Sequence, residues 1–226
     1  MNPPSYTLGI LTAAVALVMG LGNGKAEAQS AAQAQTQTSY EFTATYDTLA
    51  TLDPSYRPDL GIGRTTVTGT STDAPYGLTT FISNTYNQFD PTTNISTFNA
   101  NPAAFGLQGE PILSDRYYGG SNELFGTASD QATFDFQQGT VSGGGTITIT
   151  GGTGIFENAS GAITFTQNDR LTSTNLTEPF AGRATLNFSV QTAQAVPEPS
   201  TNATLAGIGL ISTGLLLRRL RRSASI

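Results

Sequence analysis

Carboxylates must carry any acid–base chemistry in this chain, because it contains no His and no Cys. That excludes imidazole and thiolate metal sites, Ser-His-Asp and Cys-His nucleophilic sets, disulfides and redox chemistry at sulfur. The acidic candidates are Asp47, Asp53, Asp59, Glu110, Asp115, Glu123, Asp130, Asp135 and Glu157, scattered with no recurring spacing. Glycoside hydrolysis needs two such groups roughly 5–9 Å apart across a cleft. It is also usually served by aromatic sugar platforms, and the best platform residue, Trp, is absent. No Asp-rich run has calcium-loop spacing. Tyr117-Tyr118 before Gly119-Gly120 could stack a ring at the mouth of a barrel or simply pack. The acids therefore read as solvated surface groups. No catalytic residue, metal ligand or cofactor is assigned, and the chain reads as non-enzymatic.

The elements that would position these residues are strands. Of 226 residues only 12% are charged, while 36 are Thr and 25 are Gly, a composition that leans toward β structure with many turns. Period-two alternation marks Tyr40-Phe42-Ala44-Tyr46, Phe134-Phe136, Ile147-Ile149, Ile163-Phe165 and Leu186-Phe188-Val190, each opposed by a Thr-rich face. Weaker candidates are Arg64 to Thr72, Gly77 to Tyr86 and Glu123 to Ala128. Gly143-Gly144-Gly145 reads as turn material, and Pro91, Pro102 and Pro111 predict a long excursion over Asp90 to Tyr118. The expectation is an all-β domain over 39–192, a single antiparallel barrel of about eight strands, with a sandwich as the competing solution. Residues 29–195 hold five Arg and fourteen acids, a balance that repels a phosphate backbone and excludes nucleic-acid binding.

The two ends read as targeting segments. Leu8 to Leu21 is apolar and is followed by Ala26-Glu27-Ala28, which predicts a signal peptide over 1–28 cut after Ala28 by signal peptidase, then a disordered leader over 29–38. At the other end come a 193–202 linker with Val196-Pro197-Glu198-Pro199-Ser200, an apolar run over 203–217, and Arg218, Arg219, Arg221 and Arg222 in the 218–226 tail. A helix of that run reaches about 22 Å, a marginal membrane span. The Arg cluster should stay cytoplasmic, leaving the body outside. These residues resemble the PEP-CTERM sorting signal of exopolysaccharide-producing Gram-negative bacteria and cyanobacteria. The resemblance implies an exosortase partner, transient tethering in the inner membrane, cleavage near Pro197-Glu198-Pro199, and delivery to the periplasm, cell surface or medium.

One motif within the body is distinctive. In Thr150 to Phe165, Gly151, Gly152 and Gly154 would permit a tight turn, Ile155-Phe156 would plug the core, and Gly161 would restart a strand. A phosphate-cradling loop is excluded, because no Lys follows at the needed spacing and the flanks are strands. The segment is similar to the G-T-G-x-F-x-x-A-x-G stretch of allene oxide cyclase-like and dirigent-like barrels. That resemblance implies barrel architecture and transfers no active-site residue. The expected function is a non-enzymatic secreted or surface-exposed protein associated with extracellular polysaccharide. The alternative is a small-ligand-binding or cyclase/dirigent-like barrel acting on an apolar molecule, which an empty interior lined by a carboxylate and Tyr would favour.

Overall fold

The computed structural model describes residues 36–173 and 175–194. The expected signal peptide with Ala26 and Ala28, the Val196 to Ser200 box, the apolar run and the Arg cluster lie outside the described residues. Among the described residues no helix is long and apolar enough to cross a membrane.

Nine strands form one antiparallel sheet: β1 (Thr36–Arg57), β2 (Ile62–Thr70), β3 (Thr80–Asp90), β4 (Ile95–Asn99), β5 (Asp115–Tyr118), β6 (Glu123–Asp135), β7 (Thr140–Thr153), β8 (Ala159–Arg170) and β9 (Phe180–Gln194). The order is β2-β1-β9-β8-β7-β6-β4-β3-β5, and β2 also pairs with β3, so the hydrogen-bonded path is ring-like. On β1 and β9 the side-chain pairs Gln37–Gln191, Glu41–Ser189, Thr43–Asn187 and Asp47–Arg183 trace the antiparallel register. β4 and β5 together fill one place between β3 and β6: β4 pairs with Tyr86–Asp90, and β5 with Thr80–Ile82.

Three local expectations are corrected. The Asp90 to Tyr118 stretch is not a bare excursion, since it contributes β4 and β5; besides the 91–94 turn, only residues 100–114 leave the sheet. Gly143-Gly144-Gly145 is not a turn but the middle of β7, paired with Ala132, Gln131 and Asp130. β1 begins at Thr36, inside the expected disordered leader. The candidates at Glu123 to Ala128 and Phe134 also prove to be one strand, β6.

Alternation sorts the side chains. On β1, Phe42, Ala44, Tyr46, Thr48 and Ala50 are buried while 41, 43, 45, 47 and 49 are exposed, as period-two geometry requires. One end of the interior is plugged by Phe42, Tyr46, Leu78, Phe156 and Phe188, with Phe42 stacked on Phe188 at 4.3 Å. Aromatic pairs in this geometry contribute beyond the area they bury. At the other end Leu52, Phe134, Val141 and Phe180 are buried, rimmed by half-buried Phe89, Phe136, Leu171 and Leu176. A third cluster, Ile62, Tyr86 and Leu107, lies on the outer face beneath the 100–114 segment. The strand directions put residues 36 and 194 at the same end as the 71–79 connection, the plugged one.

Candidate functional site

Between the two aromatic ends the interior holds a cavity of about 70 Å³. Its position follows from residues too small to fill it. Ala50, Ser83, Ala132, Gly143 and Ala184 face inward where neighbouring strands contribute Phe81, Phe98, Phe134 and Phe180. The glycine run is decisive: a Cβ on Gly145 would overlap the Asp130 Cβ and the Ser129 carbonyl, so only glycine lets β7 pack against β6 at Asp130. The volume corresponds to about five water-sized spheres, room for a few heavy atoms.

Two carboxyl groups, Asp130 and Asp169, line this cavity, and a third, Asp115, is buried on the inward face of β5. Asp115 on β5 is fully buried, and neither of its oxygens has a hydrogen-bond partner. It follows the inward phase of Tyr117, which pairs with Phe81, and so stands opposite Ser83 of the cavity wall. Burial pushes its carboxyl up to about 7; Ser83 and the Asn84 backbone N–H lie near enough to temper the rise but make no hydrogen bond of good geometry to it. Asp130 on β6 lines the cavity and pairs in register with Phe98 on one side and Gly145 on the other. Burial, and then the nearby Asp115 charge, raise it to about 8. Asp169 on β8 accepts from Thr48 Oγ1 at 3.0 Å and Gln167 Nε2 at 2.8 Å; burial raises its carboxyl and these two bonds oppose the rise. Tyr117, also fully buried, has its hydroxyl held protonated by burial and by Asp115.

No cation faces these acids among the described residues. Arg57 pairs with Asp59, Arg116 with Glu123 and Arg183 with Asp47 on the outer surface, and Arg170 is exposed. Arg64 lies on the outer face between the rings of Tyr56, 4.0 Å away, and Tyr86, 5.3 Å away, with Glu110 at 3.8 Å. It borders a larger outer cleft of about 280 Å³ with Thr66, Asn84, Ile112 and Ser114, and pins the 100–114 segment through the Glu110 contact.

Of the acids considered from sequence, the fold brings together only Asp115 and Asp130. Asp53 and Asp135 accept turn backbone N–H groups, and Glu157 is exposed. Asp169 was not among the candidates, although the inward series Ile163, Phe165, Gln167, Asp169 carries the strand's alternation straight to it. Tyr117 is inside the wall and unavailable at a mouth, while Tyr118 lies outside under Arg116 at 4.7 Å. In the glycine motif Phe156 is fully buried, but Ile155 is exposed and plugs nothing. Gly154 (φ 67°) and Gly161 (φ 125°) adopt backbone that favours glycine. Gly152 instead permits close approach to the Glu123 carbonyl, and Gly151 follows a register shift opposite Phe125/Gly126.

No metal-holding group of three or more acidic residues occurs among the described residues. The chain matches no family model, no curated protein and no solved structure.

Proposed function

We propose that the ring is a closed β-barrel that binds a small molecule in its interior, and that this barrel is the cargo of an exported, surface-associated protein. The observation that carries the reading is the unfilled interior. Between two aromatic plugs the chain places Gly and Ala where larger side chains would complete a solid core, and it places Tyr117 and Asp130 on the wall. Apolar concavities with a few convergent polar groups are the usual form of a small-ligand site.

Export rests on the two terminal segments: signal peptidase acting after Ala28, and an exosortase acting near Pro197-Glu198-Pro199 with the inner membrane as transient anchor. Extracellular polysaccharide is the surrounding medium in this reading, and the protein acts on it without catalysis. A cyclase or dirigent-like role is the second reading, favoured by the raised Asp115 and Asp130, which could hold or release a proton near neutral pH.

The test is interior occupancy. Xenon should shift the methyl resonances of Val141, Ile147 and Leu186, and Ala132→Leu, which fills the cavity, should abolish the shifts. Unchanged interior methyls in the wild type would end the small-molecule reading.

A further inference from the structure

The interior carboxyls raise a problem of charge. Buried acids are ordinarily paired with a cation or satisfied by several donors, because an isolated carboxylate in low dielectric is strongly unfavourable. Here Asp169 is satisfied by Thr48 and Gln167. Asp115 is completely buried with both oxygens unpartnered, and it stands on the inward face beside Tyr117 and opposite Ser83, two residues of the cavity wall. Asp130 lies on the same wall, and every Arg among the described residues is outside the ring.

From this geometry we infer that the interior site takes a small organic ammonium ion, its positive group set against Asp130 and its carbon body against the Phe81, Phe98 and Phe134 rings. The inference rests on the small-molecule reading above and specifies its ligand class. Aromatic faces attract cations, so the same walls that receive an alkyl body also favour the charge. An organic cation suits the site better than a metal ion, since the acids do not converge in a group able to ligate one. A neutral alcohol of the same shape can donate one hydrogen bond to Asp130 but brings no charge to offset its carboxylate.

The titratable groups facing this interior are Tyr46 on β1, Asp115 and Tyr117 on β5, Asp130 on β6 and Asp169 on β8, while β2, β3, β4, β7 and β9 contribute none. Both tyrosines stay neutral, since burial raises their hydroxyls. Ammonium binding therefore requires Asp130 to give up the proton it holds at up to about 8, and should strengthen as pH rises through that range. An alkylammonium stays charged throughout, titrating near the Lys value of about 10.4.

The experiment compares propylammonium with 1-propanol, nearly identical in shape, by chemical-shift titration of the full chain's interior methyls. Propylammonium should bind at least tenfold more tightly than the alcohol at pH 9. That preference should shrink at least tenfold by pH 6, and Asp130→Asn should remove it while leaving alcohol binding in place. If the variant fails to fold, the pH series on the wild type decides the same question. Equal binding of the two probes overturns the ammonium inference and leaves interior binding standing. Interior shifts with calcium but not propylammonium also overturn it. A wild type whose interior responds to neither organic probe overturns the inference and the reading beneath it together.

Discussion

Asp115→Asn should flatten the dependence of stability on pH between 5 and 8. In the unfolded chain an Asp titrates near 3.9, whereas folding raises Asp115 to about 7 by burial. Between those values the folded protein holds a proton that the unfolded chain has released, so stability falls as pH rises, by about 1.4 kcal/mol per pH unit for one such group. Below pH ~4 both states are protonated and there is no effect; above the folded value the loss levels off, on the order of 4 kcal/mol for Asp115. Asp130 acts in the same direction with its loss extending to about pH 8, and Asp169 adds a slope of the same sign. The window is clean because the chain has no His or Cys, and Asp53, Asp59, Asp90 and Glu123 have lowered values and titrate below it. Urea unfolding at pH 5, 6, 7 and 8 reads the slope directly. The slope is more diagnostic than absolute stability, because a buried Asn amide without partners costs about 1–3 kcal/mol at every pH. A wild type equally stable at pH 5 and pH 8, or an Asp115→Asn/Asp130→Asn chain with the wild-type slope, would refute the burial of these two acids.

Other changes test the surrounding architecture. Gly145→Ala should destabilise by about 1–3 kcal/mol, the usual effect of overpacking, since its Cβ collides with Asp130 and the Ser129 carbonyl; denaturant midpoints check this. Phe156→Ala removes a fully buried ring that meets Tyr40 at 5.2 Å and Tyr76 at 5.7 Å, and should cost about 3–5 kcal/mol, read by thermal unfolding. Deleting residues 196–226 should abolish membrane retention of the precursor, with fractionation and mass spectrometry of the released protein as the readout. Extracellular material still carrying Arg218 to Arg222 would contradict processing at Pro197-Glu198-Pro199.

Local pattern is legible wherever a strand shows its two faces. Tyr40 to Tyr46 and Leu186 to Val190 alternate strictly, and both are half-buried as their period implies. β7 reads as a turn at Gly143–Gly145 because residues without side chains show no alternation, even though the backbone there stays fully paired. β4 and β5 escape a reading by period because five- and four-residue strands flanked by prolines present too few side chains to set a phase. Asp130 is within reach of the pattern: Leu124, Ala128, Ala132 and Phe134 share its phase on β6.

The amino-acid sequence by itself determined the β class, the inward and outward faces of most strands, and the absence of imidazole and thiol chemistry. Only the tertiary structure decided that Asp115 and Asp130, on different strands, share one interior, and that every described Arg stays outside it. Alternation is a property of neighbouring peptide units and survives in any window of the chain. The meeting of two carboxyls depends on which strands pair and in what register, and that is settled by packing across the whole sheet.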